Sequence, residues 1–371
     1  MAQTLAELSR GRDNNLNLLR ALAATAVIIT HAFGLTGNSP LEPGNRLFGF
    51  SLGSIAVDLF FIVSGFLITK SWDRRGQLTD FFYARFMRIY PALWLCVAFC
   101  LLVVGPLFTT LSLTQFFTHF DTLKFLLENT TLLLNGVATH LPSTFDGQGM
   151  GGTNVSLWTL PFELRMYILL ALLGFTGLLN RRWLVAAMVV ACGSYYLWYL
   201  AVDGSGDRLA VYCRFIWFFF SGALLYLYRQ QLRMSHSIAA GLTAAVVAVI
   251  LLSEQMALRQ VALSLVLPWL SLYLAMVPAG AIRHYNRLGD YSYGLYIYAF
   301  PVQQSVLALA GGMMAPWLNF GWSLLITLVL AVLSWHLLEE RALKMPMPQW
   351  LRRCDEGVKV WWQRALARSG D

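Results

Sequence analysis

Charge is what this sequence has least of. Only 12% of its 371 residues are Asp, Glu, Lys or Arg, about half of the roughly 25% that solvates an ordinary soluble domain. Hydrophobic residues make up 57%, more apolar surface than a soluble core of this size can hide. A soluble enzyme, a secreted domain and a disordered chain are thereby excluded. Cysteine is scarce as well. Of the five, Cys96, Cys100, Cys192 and Cys213 lie in apolar runs and Cys354 does not; none forms a CxxC pair and no histidine is suitably spaced. Buried free thiols are expected, with neither a disulfide framework nor a metal site. An ordinary cleavable signal is not expected, because Arg20 stands where one needs apolar residues. There is no tandem repeat and no clear inverted pair of broken helices, which weakens a secondary-transporter reading.

What the sequence has is a series of apolar runs of spanning length. A window of about 19 residues places ten helices near 16–34, 50–69, 89–107, 157–179, 183–202, 209–228, 237–252, 261–277, 291–309 and 321–338. The fold class is therefore an all-α polytopic membrane bundle. A weaker stretch near 122–138 reads as a half-inserted or interfacial helix. If the N-terminus is inside, 20 of the 27 Lys and Arg fall in inner segments. Only Arg46, Lys124, Arg208 and Arg259 fall outside, and Arg20, Arg165 and Arg214 lie within spans. This bias predicts both termini in the cytoplasm, so the net charge of +8 marks a membrane face and not a nucleic-acid partner. A membrane domain over 1–345 is expected, followed by a basic tail over 346–371. In the tail Trp350, Trp361 and Trp362 interleave with Arg352, Arg353 and Arg364, the pattern of an amphipathic helix on the inner leaflet. The largest outer loop, near 108–156, ends in the glycine-rich stretch 146–152 and reads as mobile.

Ionisable groups inside spans are costly and are functional candidates by default. Arg20 and His31, eleven residues apart, share one face of the first span about 16 Å apart along its axis. Arg20 lies near the cytoplasmic end and His31 near the outer end. Asp58 lies in the outer half of the second span and must be paired, hydrogen-bonded or protonated. Glu163 and Arg165 are too close in sequence to face each other, so each should pair with another helix. By depth Glu163 is expected near His31 and Asp58. Arg85 and Arg88, three apart, offer two guanidinium forks on one face, suited to phosphate. Each has a bland counterpart: a snorkelling arginine, an interfacial histidine, a structural carboxylate, an interhelical salt bridge, a positive-inside anchor.

Further motifs are Val57-Asp-Leu-Phe-Phe-Ile-Val-Ser-Gly-Phe-Leu-Ile68, Arg85-Phe-Met-Arg-Ile-Tyr-Pro91 and Ser156-Leu-Trp-Thr-Leu-Pro-Phe-Glu163 with Tyr167. Leu288-Gly-Asp-Tyr-Ser-Tyr-Gly-Leu-Tyr-Ile-Tyr-Ala-Phe-Pro301 and a closing Glu339-Glu340 complete the series. In this order, with Arg20 and His31 at their head, they resemble the acyltransferase family 3 of integral membrane proteins over nearly the whole chain. The resemblance implies a bacterial inner-membrane enzyme that O-acylates a carbohydrate, such as exopolysaccharide, O-antigen or lipo-oligosaccharide. The implied donor is cytoplasmic acyl-CoA, usually acetyl-CoA. Many members carry a histidine where this chain has Ala299, so a role for that residue cannot apply and His31 stands alone.

Acyl transfer to a hydroxyl needs a base, a stabilised oxyanion and a held donor. His31 is the expected base, because imidazole titrates near neutrality. Asp58 or Glu163 is expected to orient it. Arg20, or Arg85 with Arg88, is expected to hold the CoA phosphates. The partners expected are acyl-CoA, a carbohydrate acceptor and membrane lipid. The rival reading is a transporter or flippase of a lipid-linked sugar, using the same charges.

Overall fold

The computed structural model describes residues 3–11, 13–132, 136–148, 150–202 and 206–351. Each of the ten apolar runs falls on one helix. In chain order these are α1 (Leu16–Leu35), α2 (Leu52–Arg75), α3 (Leu78–Phe99), α4 (Leu160–Phe175), α5 (Arg182–Ala201), α6 (Arg208–Leu227), α7 (His236–Leu252), α8 (Met256–Met276), α9 (Ser292–Leu309) and α10 (Pro316–Ser334). A π turn at Cys100–Val104 carries α3 on to Phe108, and another at Trp335–Glu339 carries α10 on to Lys344. Among the described residues eight of these helices are long and apolar enough to cross a membrane, while α7 is shorter. No strand forms among the described residues beyond two isolated bridges. The basic tail lies, past Leu351, outside the described residues.

The remaining helix, α9, carries three tyrosines and two glutamines among its eighteen residues, and its packing accounts for that composition. Every residue from Ser292 to Gln304 is buried, so its polar groups meet protein and not lipid. Pro301 has no N–H to offer the carbonyl of Ile297 four residues back. That carbonyl instead accepts Asn154 Nδ2 at 2.9 Å and Cys96 Sγ at 3.2 Å. One freed backbone group thus ties α9 to α3 and to the loop before α4.

The closest helix pair is α2 on α6. A Cβ at Gly65 would lie 1.8 Å from the carbonyl oxygen of Phe219, and one at Gly222 would lie 2.0 Å from that of Ile62. Only glycine allows backbones this near, the small-residue device of membrane helix packing. Gly222→Ala is expected to destabilise the fold by about 3 kcal/mol or more, the upper range for overpacking. The thermal midpoint in detergent measures it; an unchanged midpoint would mean that the two helices part freely.

The segments rich in Lys and Arg gather at one end of the bundle. Leu5 and Ala6 donate to the carbonyls of Leu232 and Arg229, Lys70 reaches the carbonyl of Ser9, and Arg283 pairs with Asp13. Tyr83 donates to the carbonyl of Pro346. At the opposite end Thr30 Oγ1 donates to Glu42 (2.8 Å) and accepts from the backbone N–H of Gly53 (2.7 Å). The helix Phe120–Thr131 buries Phe125 but leaves Leu123, Leu126 and Leu127 exposed, as an interfacial helix would. The glycine-rich loop is tethered: Gln304 Nε2 donates to the carbonyls of Gly151 and Gly152, and Thr139 accepts from the N–H groups of Thr153 and Asn154.

Candidate active site

Two connected hollows open at the basic end. The outer one, a vestibule of about 800 Å³, is lined by Arg20, Lys70, Arg74, Arg75, Arg85, Arg88 and Arg287, with Asp290 and Glu340 as its acids. It narrows into a cavity of about 160 Å³ between α1, α2, α3, α4 and α9. Arg20, Leu67, Arg85 and Arg88 line both. Arg85 and Arg88 are thus brought together as expected, yet they act differently.

Arg88 and Arg20 converge on one carboxylate. Arg20 bonds Asp290 Oδ2, and Arg88 Nη2 reaches the same oxygen at 2.5 Å while its Nη1 lies 3.7 Å from Glu339. Burial alone would raise the Asp290 carboxyl; Arg20, Arg88 and the Ser292 hydroxyl outweigh it and hold it at about 2. Two cations and two anions balance here, so the charge of Arg20 and Arg88 is largely taken up inside the protein. Lys70, Arg74, Arg75, Arg85 and Arg287 have no carboxylate partner among the described residues. Arg85 Nε is buried without a hydrogen-bond partner. The vestibule therefore keeps a positive excess for an anion.

Glu163 lies in the inner cavity, accepting Ser64 Oγ at 3.2 Å and the hydroxyl of Tyr167. The expectation that it lies level with His31 is corrected. Gly53 meets Thr30, the neighbour of His31, and Ser64 stands eleven residues further along α2, about 16 Å by helical rise. Glu163 is therefore at the depth of Arg20. The reason is the loop before α4, which dives inward so that Asn154 reaches Ile297 before the 3-10 turn Val155–Thr159 starts the helix. A helix starting at an outer boundary near 157 would lie higher than α4 does.

Asp58 does not orient His31 either. Arg214 Nε donates to its Oδ1 at 2.7 Å and Arg214 Nη2 to the carbonyl of Ser54 at 3.0 Å, making a buried pair between α2 and α6. Arg165 bonds the hydroxyl of Tyr212 and lies over its ring. His31 itself packs edge-on against Phe300, centroids 5.0 Å apart, and its Nδ1 is buried without a partner. Ala299, where many relatives are expected to carry histidine, is fully buried beside Ala24, Ile28 and Ala331.

A family model described as an acyltransferase domain matches residues 13–336. The chain belongs to the acyltransferase family 3. It is similar to nodulation protein 10 of Rhizobium leguminosarum bv. viciae, 29% identical over 91% of this chain and 95% of that protein. It is similar to the O-acetyl transferase of Shigella phage Sf6, 29% identical over 91% of this chain and 98% of the relative. A shorter match, 30% identical over 43% of this chain and 24% of the relative, is to the peptidoglycan O-acetyltransferase OatA of Listeria monocytogenes. No solved structure matches the chain. This family 3 protein is therefore a multi-pass membrane O-acyltransferase.

Several residues that shape the site of this acyltransferase carried no assigned role in the sequence. Asp290 stands two residues before Ser292, whose N–H and hydroxyl it accepts, a local cap signature that could have marked it. Lys70, Arg74 and Arg75 end α2 as ordinary inner-face charges, and nothing in their spacing distinguishes a vestibule wall from an anchor. Phe60 and Tyr296 lie inside two of the motifs that carry the family resemblance, but nothing in their spacing assigns either a role.

Proposed function

We propose that this enzyme moves an acyl group from cytoplasmic acyl-CoA to a hydroxyl of a cell-surface carbohydrate in the bacterial inner membrane. The observation that carries the reading is the continuity of the two hollows: unpaired cations around a wide mouth, then a narrow, largely apolar channel. CoA has that shape, a phosphate-rich nucleotide on a thin arm that ends in the thioester. The names of the phage and Listeria relatives favour acetyl as the group. The excess of Lys and Arg at the basic end supports placing the vestibule in the cytoplasm.

In this scheme Arg85, with Lys70, Arg74, Arg75 and Arg287, holds the phosphates, and Glu163 with Tyr167 faces the arm inside the cavity. The acceptor approaches His31 from the other end. Its hydroxyl oxygen bonds to the thioester carbonyl carbon as His31 takes the proton, and the carbon–sulfur bond then breaks. The thiolate recovers the proton from His31 and leaves as free CoA thiol.

Arg85→Gln tests the donor side. It should raise the KM for acetyl-CoA about tenfold to a hundredfold, as expected for losing a charge-assisted bond of about 1.5–3 kcal/mol. Thiol release by purified protein in nanodiscs reads it. No acetyl-CoA binding by the unaltered protein, with no thiol released, would overturn the reading in favour of a lipid-linked sugar transporter.

A further inference from the structure

Vestibule, cavity and histidine lie in sequence along one stripe of α1, and a side chain stands between the last two. Arg20, Ala24, Ile28 and His31 recur at three- and four-residue steps, so they share a face. Arg20 lines the cavity. Ala24 and Ile28 are fully buried, and Phe60 packs against their cluster. Phe60 also lines the cavity, where its ring meets Tyr296 edge-on with centroids 5.8 Å apart. Tyr296 is braced in turn by Thr159, oxygen to oxygen 2.7 Å. One turn further along α9, Phe300 touches His31. The Phe60–Tyr296 wall thus stands near the inner end of the cavity, with only Val57 of the α2 lining lying a turn beyond it, about one helical turn of α9 short of the contact with the proposed base.

This geometry matters for the acyl group because that group is the leading end of the donor arm. It meets the wall before the thioester carbon does. Along α2 the cavity runs from Ile68 to Val57, eleven residues or about 16 Å, long enough for a thin arm. Its volume of about 160 Å³ is close to that of a cavity that accepts a benzene-sized guest. An arm carrying a methyl-sized group can be drawn up to the wall and past a turned phenyl ring. A long alkyl chain has nowhere to fold.

Resting on the acyl-CoA reading above, we propose that Phe60, braced by Tyr296, is the acyl-length ruler of the enzyme. It restricts the donor to short acyl groups such as acetyl and propionyl, and it turns aside to admit the thioester to His31. Phe60 is a specificity-determining residue, acting on the acyl group and not on the phosphates.

The test compares thiol release from acetyl-, butyryl- and octanoyl-CoA by the full-length protein in nanodiscs. Each turnover joins the acyl carbon to the oxygen of water or an added hydroxyl, breaks the carbon–sulfur bond and frees one thiol. The unaltered protein should favour acetyl over octanoyl by at least about tenfold. Phe60→Ala should collapse that ratio toward one, and Phe60→Leu, which keeps an apolar side chain of intermediate size, should shift it part of the way. A purely structural role for Phe60 would lower all three rates together and leave the ratio alone. An unchanged ratio in both variants, with acetyl-CoA still turned over, overturns the ruler and spares the acyl-CoA reading; so does an unaltered protein indifferent to chain length. No thiol from any donor in any form overturns the reading, and the ruler with it.

Discussion

His31→Ala is expected to slow acyl transfer by about 10²–10⁴-fold, the contribution of a positioned general base, while leaving acetyl-CoA affinity within about threefold. The asymmetry follows from where the residue sits. The vestibule cations lie at the opposite end of α1, roughly 16 Å away by helical rise, so losing the imidazole should not disturb phosphate binding. His31 has no orienting carboxylate: its Nδ1 has no partner, Asp58 is taken by Arg214, and Glu163 lies far below. The whole loss should therefore appear in His31 variants and none of it in Asp58→Asn beyond reduced stability. Thiol release and calorimetric binding of acetyl-CoA measure the two quantities. A rate within threefold of the unaltered protein would remove His31 from the chemistry. Direct transfer also requires that radiolabelled acetyl-CoA leave no stable label on the protein. A label abolished by His31→Ala would instead establish an acyl-histidine intermediate.

The second large effect is expected at Asp290. Its carboxylate is shared by Arg20 and Arg88, and Asp290→Asn would leave both guanidiniums facing each other in a partly buried site. Breaking a buried pair by removing one partner costs about 3–5 kcal/mol, and here one acid serves two cations. The thermal midpoint in detergent should fall sharply, and Asp290→Glu should restore part of it. A midpoint unchanged in Asp290→Asn would mean that Glu339 alone suffices. The pH dependence has a definite sign. A carboxyl held below its unfolded value stabilises the fold above that value and loses the contribution only as pH falls from about 4 toward 2. Asp290 is thus fully ionised wherever histidine titrates, and any activity change near neutral pH does not come from this carboxyl.

The ten helices were legible because apolar length is a strong signal and the bilayer demands it. The interior of the site was not, and the reasons lie in particular residues. Asp58 was recognisable as a group that needs a partner, and Arg214 had been placed within a span, but pairing across α2 and α6 depends on Gly65 and Gly222 drawing the backbones together. Arg85 and Arg88 were correctly placed on one face of α3. Their division of labour depends on Asp290 and Glu339, which arrive from 202 and 251 residues further along the chain. The depth of Glu163 is not legible in the sequence, because the loop before α4 runs inward to reach Ile297 instead of ending at the surface. Family resemblance supplied the activity; spacing alone left enzyme and transporter open.

The bond between Arg20 and Asp290 spans 270 residues, and this bears on how the protein is made. Arg20 emerges with α1, but its carboxylate follows only after seven more of these helices have been synthesised. At about 5–20 residues per second the wait is roughly 15–50 s. Asn15 waits as long for the carbonyls of Leu274 and Pro278. During that interval α1 has no settled neighbours on its Arg20 face, and the guanidinium depends on nearby headgroups or the insertion machinery for solvation. Assembly of this enzyme therefore closes from its ends: the helix that carries Arg20 and His31 is made long before Asp290, yet it is the C-terminal third of the chain that locks it in place.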